Sequence, residues 1–454
     1  MSKLNITFHG GVDSVTGANF LIETEGLKML VDCGMYQGGE DAEERNYEVF
    51  PYNPADIDIL FVTHAHADHI GRIPKLVHDG FRGKIYSTGP TMEITEIMFD
   101  DGLQITTREA KKTGREPLYE EADTKTAMSL WKEISYHNKL DIAENISVTP
   151  YDAGHILGSC MFKFSFGEKN VLFTGDLGNS PDPLLQDTEI IKDVDYLIME
   201  SVYGDRNHEE REERITKFER IIEDTISNKG TLIIPSFALE RSQNLLFILN
   251  NLVESNRIPQ IPVYFDSPLA IDITNVFKKN TEYMNNTVKD VLKTDKDIFD
   301  FPKLVETYTK DESKKIFGEP GPKIILASAG MSHAGRIIFH EKYYLPDPNT
   351  TILFVGYQAV GTLGRMIQDG VKNLKILGHD IKVRAKTVTI QGYSAHRDSQ
   401  HLLEFVEPMA DRVKKVFCVM GERKASFFLV QRLRDYLGID AESPDAGETF
   451  EIEY

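Results

Sequence analysis

Thr63-His64-Ala65-His66-Ala67-Asp68-His69-Ile70-Gly71 follows directly on the apolar run Ile57-Asp58-Ile59-Leu60-Phe61-Val62. The run reads as a β-strand, and strand geometry sends alternate side chains to one face, so His64 and His66 can point the same way from its end. Asp68 and His69 begin the next turn and can face a second position a few ångströms away. Three histidines and one aspartate within six residues suit imidazole and carboxylate ligation of a borderline divalent cation.

Two further stretches extend this pattern. Asp152-Ala153-Gly154-His155-Ile156-Leu157-Gly158-Ser159 offers a histidine between glycines in a loop joining two strands. Leu172-Phe173-Thr174-Gly175-Asp176-Leu177-Gly178 offers an aspartate just after an apolar strand. His155 would be the third imidazole of one site, and Asp176 a carboxylate able to bridge two metals. Asp32, in Leu30-Val31-Asp32-Cys33-Gly34, ends another strand and suits the role of orienting a ligating imidazole.

Around this centre the first 200 or so residues read as short strands separated by Gly, Asn and Asp, with helices at Ile73–His78 and around Lys125–His137. A charged helix is expected over His208–Asn228, and strand and helix then alternate as in a parallel sheet with crossover helices. The Lys- and Asp-rich stretch near Thr281–Lys315 reads as a solvated insertion of that region. Short strands return from about Thr387. The expected division is 1–206, 207–386 and 387–454, the outer two forming one domain.

The chain has 454 residues, 51 basic against 71 acidic, for a net charge of −20, which argues against a protein that coats nucleic acid by bulk charge. A local basic cleft stays compatible with it. With 41% hydrophobic residues there is material for a core, while no apolar run approaches the ~18 residues a membrane span needs. The N-terminus lacks the apolar stretch of a secretory signal, and Cys33, Cys160 and Cys418 are too few and scattered for a disulfide framework. A soluble cytoplasmic protein without membrane partners is the expectation.

The HxHxDH run, with Asp32, His155 and Asp176 in order, resembles the metallo-β-lactamase superfamily. The resemblance implies an α/β fold, an αββα sandwich, with two metals at one edge of its sheets. His64, His66 and His155 would hold the first metal, Asp68 and His69 the second, and Asp176 would bridge them. The inserted α/β region is similar to that of the β-CASP nucleases. Leu197-Ile198-Met199-Glu200-Ser201-Val202-Tyr203-Gly204-Asp205-Arg206 and Gly392-Tyr393-Ser394-Ala395-His396 look like two of that family's extra motifs. Pro235-Ser236-Phe237-Ala238, Asp266-Ser267-Pro268-Leu269-Ala270, Gly330-Met331, Gly335-Arg336, Gly356-Tyr357-Gln358-Ala359 and Gly361-Thr362-Leu363-Gly364-Arg365 resemble its RNA-processing members, which include the cleavage and polyadenylation endonuclease.

The implied catalytic set is His396 as general acid, Glu200 as its partner, Asp68 and Asp32. Arg336 and Arg365 could clamp substrate phosphates in bidentate fashion. The implied cofactors are two divalent cations, zinc or alternatively manganese, and the implied substrate is single-stranded RNA. The chain departs from the family in Val416-Phe417-Cys418-Val419-Met420-Gly421-Glu422-Arg423, where Met420 stands in the place of a ligating histidine and no histidine follows His401. A thioether is a poor ligand for zinc or manganese, so the second metal should bind more weakly. DNA-acting members also lack that histidine. A DNA nuclease, a weakly active or inactive RNA-binding subunit, and a homodimer all stay open on sequence.

Overall fold

Along the strand Cys160–Phe166 the rings of Phe162, Phe164 and Phe166 all enter one core, while Met161 enters the core on the opposite face. This period of two lets one strand serve two hydrophobic layers. The computed structural model describes residues 2–38, 41–208, 211–356, 358–359, 361–390 and 394–454, with only the backbone of residues 211 and 212. The chain divides into two units, Met1–Asn207 with His396–Tyr454, and His208–Ala395.

In the first unit, the described residues form two seven-stranded sheets. One runs in the order Thr449–Glu453, Lys3–Gly10, Asn19–Thr24, Leu27–Val31, Ile59–Phe61, Lys84–Ser87, Trp131–Glu133. The other runs Ala441–Glu442, Lys415–Val419, Tyr196–Glu200, Lys169–Phe173, Cys160–Phe166, Ile146–Asp152, Leu140–Ala143. Phe8, Phe20, Met29, Val31 and Phe61 of the first sheet meet Val148, Phe164, Phe173, Ile198 and Phe417 of the second in a shared core. The Phe61 and Phe164 rings meet edge to face, with centroids 5.1 Å apart. On the second sheet's outer face, the helices Ser399–Val406 and Arg423–Leu437 bury Leu402, Phe405, Leu429 and Leu433 against Met199, Val416 and Cys418. Helices Ile73–His78, Gly89–Thr113 and Glu121–Leu130 accompany the first sheet, completing the expected αββα sandwich.

The second unit contains a six-stranded, all-parallel sheet in the order Leu304–Glu306, Val263–Asp266, Lys323–Ala327, Thr231–Pro235, Thr351–Phe354, Lys386–Thr389. Thr231–Pro235 and Lys323–Ala327 are buried at every residue, as central parallel strands covered on both faces must be. Among the described helices of the chain, none is long and apolar enough to cross a membrane.

Four local expectations change. The helix expected over Lys125–His137 runs Glu121–Leu130, and Trp131–Glu133 is an edge strand instead. Trp131 donates its indole N–H to Ser87 Oγ, 2.8 Å away, which favours the ladder over another helical turn. Gly89–Thr113, started by Thr88 as cap and Pro90, is a helix that no periodicity announced. Lys386–Thr389 pairs with Thr351–Phe354, so the inserted unit extends past 386. The stretch Thr281–Lys315 is more than a solvated insertion: Leu304–Glu306 adds a strand, and Met284, Val288, Ile298, Phe299 and Phe301 are buried anchors.

Candidate metal centre

Each ligand-type side chain stands at a strand end of the sandwich. Asp32 follows Leu27–Val31, and His64 follows the buried Val62 and Thr63 just beyond Ile59–Phe61. His155 lies between Ile146–Asp152 and Cys160–Phe166, Asp176 follows Lys169–Phe173, and Glu200 ends Tyr196–Glu200. His66 caps the short helix Ala67–Ile70, whose first turn presents Asp68 and His69. Ladder pairing in the two sheets thus fixes all these positions at one edge.

Two groups of ligand atoms within 4.8 Å hold the clustered histidines, His64, His66, His155 and Asp176 in one and Asp68, His69 and Asp176 in the other, and a third joins Asp176 to Glu200 and His396. His66 Nδ1 lies 3.1 Å from His64 Nε2 and 3.2 Å from His155 Nε2, so three imidazole nitrogens converge. Asp176 divides its oxygens between the first two groups. Its Oδ2 is 3.4 Å from His64 Nε2 and 3.5 Å from His155 Nε2, and its Oδ1 is 3.4 Å from His69 Nε2. Asp68 Oδ2 stands 3.9 Å from the same His69 nitrogen.

His69 Nε2 and Asp176 Oδ1 are buried without a hydrogen-bond partner. Leaving such groups unpaired costs on the order of 1–3 kcal/mol each, and a divalent cation among these atoms would satisfy them all. Burial, followed by the neighbouring imidazoles, holds His66 and His155 well below the ordinary histidine value and lowers His64 as well. Neutral rings offer lone pairs at neutral pH, the state a metal requires. Burial opposes charge on Asp176, yet His69, His396 and His64 hold it well below the usual carboxylate range. The residues present therefore fit divalent metal binding.

Asp32 accepts from the Thr63 backbone N–H and hydroxyl, both at 2.8 Å, and its Oδ2 lies 2.7 Å from His69 Nδ1. Beside the metal-ligand groups, His396 Nδ1 is 3.2 and 3.3 Å from the Glu200 carboxylate oxygens. Glu200 is fully buried and accepts the Leu177 N–H at 2.6 Å. Burial works against charge on His396, but Glu200 and Asp176 outweigh it and push the imidazole up to about 10. Its ring centroid lies 4.7 Å from that of His155, and 23% of its side chain stays exposed.

Arg336 and Arg365 belong to the other unit. The Arg336 guanidinium pairs with Asp266 and donates to the Thr307 and Tyr308 carbonyls, while Arg365 Nε lies 2.9 Å from both Asp369 carboxylate oxygens. Tyr357, Gly392 and Tyr393, which belong to two of the quoted motifs, and Glu209 and Glu210 of the expected helix lie outside the described residues. Met420 is 2% exposed and packs in the sandwich core, next to a small cavity lined by Asp32, His69, Thr174 and Gly175.

Sequence reasoning passed over Thr63, Thr188 and Glu189. Thr188 Oγ1 donates to the Ala153 carbonyl at 2.7 Å, and Glu189 accepts the Asp152 N–H at 2.8 Å, so both tie down the His155 loop. A Thr or Glu in a loop carries no signal of its own.

Three family descriptions match the chain: a metallo-beta-lactamase superfamily domain over residues 21–202, a Beta-Casp domain over 242–367, and a Zn-dependent metallo-hydrolase RNA specificity domain over 380–444. Ribonuclease TTHA0252 of Thermus thermophilus is 34% identical, across 89% of this chain and 91% of its own length. An RNase J-like protein of Methanocaldococcus jannaschii is 32% identical across 98% and 99%. The transcription termination factor FttA of Methanosarcina mazei is 32% identical across 99% of this chain and 72% of its own. A crystal structure of an Enterococcus faecalis protein of unknown function shares the fold, with a TM-score of 0.59, 11% identity and coverage of 99% and 100%. With the two ligand groups and the Glu200–His396 pair in place, these matches make the chain a member of the β-CASP nuclease family of metallo-β-lactamase-fold hydrolases, in its RNA-processing branch.

Proposed function

We propose that this enzyme hydrolyses phosphodiester bonds of single-stranded RNA at a centre for two divalent cations, zinc or manganese, with His396 as general acid. The observation that carries the reading is the division of the Asp176 oxygens between two ligand groups. His64, His66 and His155 would hold one cation, Asp68 and His69 the other, and Asp176 both. Cations bound there neutralise charge on the phosphodiester oxygens and activate water as a nucleophile.

Water adds to phosphorus as the bond to the leaving 3′ oxygen breaks, giving a 5′-phosphate. Asp68, with 18% of its side chain exposed, takes the proton of the attacking water. His396 gives its proton to the leaving oxygen. Glu200 holds the Nδ1 side of that ring and fixes its orientation. Asp32 does the same for His69. Nothing in this scheme uses the 2′-hydroxyl, so preference for RNA over DNA must come from contacts along the strand.

The test is cleavage of end-labelled RNA and DNA of one sequence with zinc or manganese added, alongside His396→Ala. RNA cut to 5′-phosphate products by the wild type and left whole by the variant is the expected result. Preferential DNA cleavage would replace the substrate assignment. Intact RNA and DNA with every metal would favour a binding subunit.

A further inference from the structure

The helix Arg423–Leu437 buries Ala425, Ser426, Leu429, Val430 and Leu433, and leaves three aromatic rings in solvent: Phe427 is 50% exposed, Phe428 49% and Tyr436 71%. The outer face of a surface helix is ordinarily polar, and clustered exposed rings mark a place where something binds. Lys424, Phe428, Arg432 and Tyr436 follow one another at four-residue steps along a single ridge, so cations and rings alternate about every 6 Å. Arg423, Phe427 and Gln431 form the neighbouring row. The Arg423 guanidinium lies 5.5 Å from the Phe427 ring centroid, and the Arg432 guanidinium 5.5 Å from that of Tyr436.

The buried face of the helix is tied at its start to the strand that carries Glu200. Ser426, in the first turn, has its Oγ 2.8 Å from Ser201 Oγ, and Ser201 adjoins Glu200, the partner of His396. Lys424 Nζ is 3.2 Å from Asp205 while its side chain stays 85% exposed. The whole helix is 15 residues long, about 22 Å. It carries four basic residues and one acidic one, in a chain whose net charge is −20. All four basic side chains have partners in the fold: Arg423 pairs with Asp13 and Asp445, Lys424 with Asp205, Arg432 donates to Ser399 and Gln400, and Arg434 to the Ala441 carbonyl, so phosphates would compete with these contacts.

We propose that the outer face of helix Arg423–Leu437 is a track for single-stranded RNA, with bases stacking on Phe427, Phe428 and Tyr436 and with Lys424 and Arg432 meeting phosphates. Interleaved rings and cations are the chemistry of sequence-tolerant single-strand binding, because every base has a stacking face and every nucleotide a charge. The track deepens the nuclease reading and rests on it.

The experiment measures binding of a labelled twelve-nucleotide RNA to the full chain in chelator, so that no cleavage intervenes. Phe428→Ser/Tyr436→Ser should weaken binding about tenfold or more. Lys424→Glu, a second variant at an exposed position, should flatten the salt dependence of binding. Phe339→Ser, which alters an exposed ring of the other unit, should bind as the wild type does. Wild-type affinity in both helix variants overturns the track while leaving the nuclease reading intact. The same affinity with a dimer converted to a monomer assigns the face to self-association and also overturns it. If the wild type neither binds nor cuts RNA, the nuclease reading fails and the track fails with it.

Discussion

Asp32 Oδ2 lies 2.7 Å from Nδ1 of His69, while Nε2 of the same ring, 3.4 Å from Asp176 Oδ1, has no hydrogen-bond partner. The first contact holds the ring's proton on Nδ1 and turns the lone pair of Nε2 toward the Asp68–His69–Asp176 group. Asp32→Asn keeps the shape but takes away the carboxylate that orients the ring. Loss of such a partner typically costs 10–100-fold in metal affinity. A chelator competition titration should show weaker binding at one site of two. Two unchanged affinities would mean that His69 is oriented without Asp32.

Met420 sits behind the same ring. Its backbone has φ of +48°, its N–H donates to the Gly11 carbonyl at 2.6 Å, and its side chain is 2% exposed. A methyl group on Gly11 would come within 2.4 Å of Met420 Sδ, so glycine there leaves the room that the thioether fills. Histidine is among the residues that accept a left-handed backbone more readily than most. Met420→His should place an imidazole at the small cavity beside Asp32 and His69 and tighten cation binding at the Asp68–His69–Asp176 group by about tenfold or more, read by the same titration. No gain in affinity would refute the view that a ligand is missing at this position.

The His155 loop is held from outside the metal groups. Glu189 accepts the Asp152 N–H at 2.8 Å and lies 2.8 Å from His137 Nε2, its own N–H donates to the Asp152 carbonyl at 3.0 Å, and Asp152 Oδ1 accepts the Gly154 N–H at 2.8 Å. Glu189→Ala removes the side-chain part of this latch and should lower affinity at the His64–His66–His155 group several-fold, with a stability loss of about 1–2 kcal/mol. The expected signature is faster metal release to chelator from a protein that still folds. Release at the wild-type rate would assign loop placement to Thr188 and Gly178, which both donate to the Ala153 carbonyl.

What could be read in advance follows from how local the cause is. His64, His66, Asp68 and His69 share one strand end, so alternation and the following turn predicted their convergence from six residues. Asp176 and His155 were legible only beside that run, because a lone aspartate after an apolar strand has many ordinary uses. Thr63 was invisible for the opposite reason: threonine is a common strand residue, and only the fold shows its hydroxyl 2.8 Å from Asp32. Gly89–Thr113 escaped because Gly102 and its β-branched Ile and Thr residues are weak helix formers. Lys386–Thr389 is four residues long, and nothing in them says which sheet they join. Glu189 acts across 37 residues on Asp152, a contact that only tertiary structure creates.

Glu341, in the inserted unit, supplies a test of stability that does not involve the metals. Its side chain is fully buried, one carboxyl oxygen takes the Ser332 hydroxyl, and the other has no hydrogen-bond partner. Burial pushes its pKa from the ordinary 4.5 up to about 8. The folded protein therefore holds a proton that the unfolded chain releases, and stability falls as pH rises between those two values. The slope approaches 1.4 kcal/mol per pH unit at most. This contribution is complete below about pH 4.5 and gone above about pH 8. Glu341→Gln keeps an acceptor for Ser332 and carries no proton to lose. Its melting temperature should therefore decline less than that of the wild type from about pH 5 to about pH 8, and the difference between the two should be largest at the alkaline end. Parallel melting curves across that range would show that Glu341 is already ionised in the fold, with a counter-charge reaching it.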